Sequence, residues 1–403
     1  MVRKPSITKG ALSDLKVLEL GSMLAGPFVG SMLADFGAEV VKVEKPGKPD
    51  ALREWPPHKD GEALWWKTMS RNKRLITLDI SRPEARELTL KLIGRSDVVI
   101  ENFRPGTMEK WGYGPAELRA RFPRVIWVRV SGWGQTGPNR EQGGYATIAE
   151  AFSGLASFTG HHDKGPMVSA FPMGDYLAGI FGAFGALAAV HSRENTGAGQ
   201  VVDVALYEPL LRIIESVVVR YDQTGRKKPL MGNQMEEDVP RNVYRTADGA
   251  SIAISCGSQR IFDALMDAMQ RPDLKADPRF ATMTDRVANR DAIDAAVASW
   301  LAKTRTADAL DRLVAHHVVA GRVNDIADVL GDSHVAARAA IATVLDAKLG
   351  SMRMPAPVPK LSDTPGTINW TGEDPGAAND DVFASCCGLS ASEIAMLKSK
   401  NVI

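Results

Sequence analysis

The sequence predicts an α/β fold: a Rossmann-like, doubly wound parallel sheet in a large domain, joined to a smaller α+β domain. Three observations lead there. Short β-branched runs alternate with helical patterns over the first 130 residues, the spacing of successive βαβ units. A Gly-rich turn, Gly21 to Gly26, follows the first of these runs, as where a strand feeds directly into a helix. Beyond about Asp222 the pattern breaks into a polar stretch, and a hairpin with further helical patterns follows.

Taken in order, Val17 to Leu20 is the first strand and Pro27 to Phe36 the first helix, with Gly37 placed to cap its C-terminus. Glu39 to Val43 reads as the second strand and Leu75 to Ile80 as the third. Ser81 and Glu84 have the spacing of a capping box that opens a helix running to Ile93, and Val98 to Ile100 and Val125 to Val130 are further strands. The longest apolar run, Tyr176 to Val190, is shorter than the roughly 20 residues a membrane span needs. It reads as a buried helix of a soluble protein, its Gly179, Gly182 and Gly185 allowing another backbone close. Asp248-Gly249 is the turn of a hairpin between Asn242 to Arg245 and Ser251 to Ser255. Helical patterns follow at Arg260 to Gln270, Arg290 to Lys303, Ala307 to Val318 and Ile326 to Leu330. Met354 to Pro365 is Pro-rich and extended, and Ser390 with Glu393 caps a last helix. Periodicity alone leaves open whether that last segment rejoins the first domain.

Composition excludes whole classes of function. Among 403 residues, 49 Lys+Arg stand against 48 Asp+Glu, a net charge of +1, so no surface excess of positive charge exists to hold nucleic acid. With 44% hydrophobic and 24% charged residues, disorder and coiled coil are excluded as well. Cys256, Cys386 and Cys387 are too few and too poorly spaced for a disulfide framework or a zinc site, and the His pairs lack helical ligand spacing, so no metal is expected. A reducing compartment and an N-terminus without a visible signal peptide indicate a cytoplasmic protein with no membrane partner. GxGxxG, GxxxxGK[ST], GxSxG and HExxH are all absent, which removes support for dinucleotide, P-loop, hydrolase-elbow and zincin chemistry.

Two features carry chemistry. Asp175, in FPMGDYLAG, stands at the mouth of the apolar helix. Aspartate is a favoured helix N-cap, and that alone accounts for it as a structural residue. A carboxylate there is also held ionised by the helix dipole while the apolar helix limits its hydration, which suits a nucleophile. The second feature is a scatter of basic residues read at strand ends: Lys42, Lys45, Arg71, Lys73, Arg74, Arg104 and Lys110. Ligands in open α/β sheets bind at the carboxyl ends of strands, so basic residues there suit a phosphorylated ligand.

The stretches VLELGSMLAGPFVGSMLADFGAEVVKVEKPG, RNKRLITLDI, VVIENFRPGTMEKWG, VSGWGQTGP, GDYLAG and TGAGQVVDVALYE occur in an order by which the chain resembles the class III CoA-transferases, the formyl-CoA and carnitinyl-CoA type. The resemblance implies an enzyme that moves CoA from an acyl-CoA to a carboxylic acid, with coenzyme A as substrate and no tightly bound cofactor. It implies Asp175 as the catalytic carboxylate, passing through an aspartyl anhydride and an aspartyl-CoA thioester. Lys45 and Arg104 become CoA ligands, with Arg71, Arg74 and Lys110 near them in sequence order, and Leu24 and Ala25 lie where the thioester enters. It further implies a large domain of residues 1–221 completed by 341–403, a linker and small domain at 222–340, and an interlocked homodimer. Its only other partners would be the acyl-CoA and a small acid.

Two departures narrow the reading. Met231 to Val239 reads MGNQMEEDV, with one glycine where the formyl-CoA enzymes carry a run, so oxalate specificity is not carried over. Tyr145-Ala146 stands where the related acyl-CoA racemases have a His-Asp pair, which favours transfer over racemisation. Arg140 and Arg241 are candidates for a second carboxylate of the acid, and Trp133, Met167, Phe171 and Met173 for its pocket. A racemase, or a CoA-binding protein without turnover, are the alternatives.

Overall fold

The computed structural model describes residues 10–403, so the N-terminal reading of residues 1–9 lies outside it. The chain divides into two compact units. One comprises the chain up to Leu155, Val168–Asp222 and His334–Ile403; the other comprises Ala156–Met167 and Gln223–Ser333.

The first unit is built on six parallel strands: β1 (Lys16–Glu19), β2 (Glu39–Glu44), β3 (Lys73–Thr77), β4 (Val98–Glu101), β5 (Ile126–Ser131) and β6 (Val201–Ala205). Their order across the sheet is β3-β2-β1-β4-β5-β6. The central strands run apolar at successive positions, as in Val98, Val99 and Ile100, because helices cover both faces and alternation would bury polar groups. The chain winds outward in opposite directions from β1 and β4. This leaves a crevice at their carboxyl ends, the switch point at which open sheets take ligands.

Helix α1 (Ala25–Asp35) follows β1 and packs against α3 (Met173–Thr196), the long apolar helix, while α2 (Arg86–Gly94) precedes β4. The glycines of α3 meet side chains: a Cβ on Gly179 would lie 2.8 Å from the Phe28 ring, one on Gly182 2.8 Å from Val29, and one on Gly185 2.6 Å from Val202. The helix is not wholly buried as expected. Its small residues, including Ala178, Gly182 and Ala186, face inward, while Ile180, Phe184 and Leu187 are exposed. By length and composition alone α3 could cross a membrane.

Two local expectations are corrected. The third strand begins at Lys73 and ends at Thr77, two residues earlier at its start than its hydrophobic run, so RNKR leads into its amino end. The Ser81–Glu84 box does not form. Asp79 accepts the Ser81 N–H and hydroxyl instead, at 3.3 and 2.6 Å, and a 3₁₀ turn, Pro83–Ala85, precedes α2.

The closing segment packs onto this same unit. Helices α4 (Asn379–Cys387) and α5 (Ala391–Ser399), the latter with its Ser390–Glu393 capping box, place Val382, Phe383, Ile394 and Ile403 in one core with Val41 and Ile76. The Asn379 amide bonds the Thr77 N–H and hydroxyl, both at 2.8 Å. In the second unit the hairpin Arg241–Arg245 with Ser251–Ser255 forms around Gly249, whose φ of +82° only glycine adopts freely. Strand Ala320–Arg322 extends it, and helices Gln259–Met269, Arg290–Leu301 and Thr306–Ala315 cover it around Phe262, Leu265 and Val297.

Candidate active site

The switch-point crevice opens as a cleft of about 960 Å³. Ser22, Leu24 and Ala25 from the turn after β1 line it, with Asn102 and Arg104 from the turn after β4, and Asp175. An adjoining cleft of about 860 Å³ shares Ser22 and Phe103 and contains Lys45, Asp79 and Trp111.

Asp175 is the third residue of α3, and the N-cap position is held by Pro172 with no side-chain cap, so the capping account does not apply. Its carboxylate makes no hydrogen bond or ion pair among the described residues, and it is the one carboxylate lining the main cleft. Burial, reinforced by the negative Glu150, pushes its pKa up to about 6, against the direction expected from the helix dipole alone. Glu150 is itself fixed, accepting the Ser169 N–H at 2.8 Å and hydroxyl at 2.9 Å. At pH 7 Asp175 is still ionised by about ten to one. A carboxylate that is ionised, unpaired and poorly hydrated is a reactive nucleophile.

The turn opposite it is tightly specified. Asn102 brackets Ser22, accepting its N–H at 2.9 Å and donating to its carbonyl at 2.8 Å. Gly21 and Gly26 make room for that amide: Cβ atoms there would lie 2.7 and 3.1 Å from Asn102. Asp50 accepts the N–H of Met23, which stands at φ +67°.

Of the residues singled out in the sequence, Leu24, Ala25, Arg104 and Asp175 share the main cleft, and Arg140 joins them. Lys45 lines the adjoining cleft, half-exposed and 3.1 Å from Asp79. Lys110, exposed at the end of a short helix Thr107–Lys110, lines neither. Arg71 and Arg74 are a correction: preceding and opening β3, they lie at the amino edge of the sheet, away from the strand ends that carry Lys45 and Arg104. Arg71 is taken by Asp35 at 2.5 Å and Arg74 by Glu39 and Asp381. Lys42 and Lys73 are corrected too, being wholly buried and paired. Arg241 opens the hairpin of the second unit, with its guanidinium on Met235.

Asn102 and Glu150 are the residues the sequence reading missed. Asn102 was legible in principle as a polar residue just after a strand; Glu150 carries no local signal, because Ser169 and Asp175 reach it only through folding.

A family model described as CoA-transferase family III matches residues 12–380. The chain belongs to this family. The transferase is 45% identical over 393 residues to a succinyl-CoA–D-citramalate CoA-transferase of Chloroflexus aurantiacus, covering 97% of this chain and 98% of the relative. It is 37% identical to the alpha subunit of a succinyl-CoA–L-malate CoA-transferase of Chloroflexus aurantiacus, over 97% of this chain and 92% of that one. Among solved structures, a CAIB/BAIF family protein from Brucella suis superposes with a TM-score of 0.84 at 31% identity, over 94% of this chain and all of that one. The transferase reading therefore holds over the racemase: the protein moves CoA between an acyl-CoA and a carboxylic acid.

Proposed function

We propose that this transferase passes CoA from an acyl-CoA to a dicarboxylic acid with Asp175 as nucleophile. The observation that carries the reading is the lone, unpaired Asp175 carboxylate in a cleft that also holds two guanidinium groups, Arg104 and Arg140. Asp175 attacks the thioester carbonyl, the C–S bond breaks, and a mixed anhydride and CoA thiolate form. The thiolate attacks the aspartyl carbonyl and expels the donor acid, leaving an aspartyl-CoA thioester. The acceptor carboxylate attacks that thioester, releasing thiolate and forming a second anhydride. Return of the thiolate to the acceptor's acyl carbon makes the new CoA ester and regenerates Asp175. Each step exchanges one activated acyl bond for another, so no external energy source is needed.

Lys45 and Arg104, in the two adjoining clefts, suit the phosphates and pantetheine arm of CoA, with Leu24 and Ala25 against the thioester. Arg140 is half-exposed in the cleft and pairs with its sequence neighbour Glu141 at 3.4 Å, so its guanidinium is available to the distal carboxylate of a diacid. The relatives that act with succinyl-CoA on citramalate and malate support a diacid acceptor. The exposed Ile180, Phe184 and Leu187 on α3 support a homodimer that covers them, and the free Cys256, Cys386 and Cys387 support a cytoplasmic enzyme.

Two measurements test this. In a panel of acceptor acids, Arg140→Gln is expected to raise KM for diacids about 10- to 100-fold while leaving monocarboxylic acceptors unchanged, the loss of one charged hydrogen-bonding partner. Equal effects on both classes would remove the assignment. The logarithm of kcat/KM should bend near pH 6 and fall about tenfold per pH unit below it, because only ionised Asp175 attacks and its pKa is about 6. A bend near pH 4 would show an unperturbed carboxylate.

A further inference from the structure

Beneath the turn that forms one wall of the cleft lie four charged side chains. Glu19 of β1, Lys42 of β2 and Lys73 of β3 are wholly buried, and Asp50 is nearly so. Glu19 holds both ammonium groups, Lys42 at 3.0 Å and Lys73 at 2.8 Å, and Asp50 holds Lys42 at 2.9 Å. Two positive and two negative charges leave the cluster neutral. Gly30, in α1, makes its space: a Cβ there would stand 2.0 Å from the Glu19 carboxylate.

Apolar side chains of similar volume fill such a site at equal or greater stability, so stability alone does not account for the quartet. What distinguishes it is where its hydrogen bonds end. Lys42 donates to the carbonyl of Gly21 at 2.8 Å, Lys73 to the carbonyl of Pro27 at 2.7 Å, and Asp50 accepts the Met23 N–H at 3.0 Å. Three tethers thus bracket the Gly21–Pro27 segment, and Leu24 and Ala25 between them face the cleft that holds Asp175.

We propose that Glu19, Lys42, Asp50 and Lys73 form a positioning network that sets the Gly21–Pro27 segment, and through it the thioester carbonyl, against Asp175. The proposal rests on the reading of this cleft as the site of CoA transfer. Lys42 and Lys73 line neither cleft. They act through the segment and not on CoA, so the effect belongs in kcat more than in KM.

The test uses Lys73→Met in the full chain, with steady-state kinetics and amide hydrogen exchange read by mass spectrometry on peptides covering Gly21–Phe28. Displacing a reacting group by about an ångström costs on the order of 100-fold in rate, so kcat should fall about 10- to 100-fold with KM for acyl-CoA within about threefold. Exchange in the segment should quicken by about tenfold or more as a tether is lost. The double variant Glu19→Gln with Lys73→Met restores charge balance without restoring the tether. It should recover the melting temperature but not kcat, whereas a merely structural role recovers both. Unchanged segment exchange, kcat within about threefold of the parent, or recovery of kcat in the double variant would each overturn the proposal. Should Lys73→Met fail to fold, the double variant carries the same readouts. Failure of the function reading is seen separately, as exchange activity retained by Asp175→Ala, and leaves the amide-exchange result to judge the tether.

Discussion

Replacing Asp175 with Ala is expected to lower exchange of labelled acid into CoA ester by about 10³-fold or more, the loss typical of removing a covalent nucleophile. The cleft offers no substitute: no other carboxylate lines it among the described residues, and Glu150 nearby is occupied by Ser169. CoA binding should survive, since Lys45 and Arg104 are untouched. With acyl-CoA and hydroxylamine, the peptide holding Asp175 should gain the mass of a hydroxamate in the parent and not in the variant. Stability supplies the control. Asp175 has a folded pKa of about 6, above the 3.8 of an ordinary aspartate, so the folded chain binds this proton more tightly than the unfolded chain. Ionised Asp175 therefore weakens the fold as pH rises from about 4 to 6, by roughly 1–3 kcal/mol for a largely buried group. Asp175→Asn should melt no lower than the parent at pH 7.5 while losing the same activity. A variant that keeps exchange would remove Asp175 from the mechanism.

The largest stability loss is expected at Lys42. Burial pushes its ammonium pKa down, but Asp50, Glu19 and Glu44 together raise it above that of an ordinary lysine, so it stays charged. Lys42→Met leaves Glu19 shared with Lys73 alone, and Asp50 with only the backbone N–H groups of Met23 and Leu52. Breaking a buried ion pair from one side costs about 3–5 kcal/mol, because the remaining charge stays desolvated. Urea unfolding of the variant should show that loss with an unchanged slope. Exposed Lys398, paired with Asp380, is the contrast: Lys398→Ala should cost no more than about 1 kcal/mol. A Lys42→Met loss under about 1 kcal/mol would refute the account of the buried quartet.

Much of the fold was legible because it is local. The alternation of apolar runs and helical patterns marks β1, β2, β4 and β5 to within one or two residues, and the Asp248-Gly249 turn and Ser390–Glu393 box form as read. Where the reading slipped, a longer-range contact decided. The third strand takes its register from pairing with β2, so it starts at Lys73 ahead of its apolar run. Asp79 intercepts Ser81 before a capping box can close. The apolar helix leaves Ile180, Phe184 and Leu187 exposed because its close approach to α1 is made over Gly179 and Gly182, against Phe28 and Val29.

By itself the sequence determined which chemistry was present: an aspartate at the mouth of an apolar helix, a Gly-rich turn after the first strand, and a basic residue after each of two strands. These are properties of neighbours along the chain. Only the tertiary structure decided which charges line a cleft and which are sealed within the fold. Lys42, Lys45, Lys73 and Arg74 look alike in one dimension, yet only Lys45 lines one of the two clefts at the carboxyl ends of the strands, Arg74 is paired in a separate pocket at the amino end of the sheet, and Lys42 and Lys73 are sealed against Glu19. A charge's role follows from its solvation and its partners. Both are fixed by residues distant in sequence, such as Glu19 for the lysines and Glu150 for Asp175.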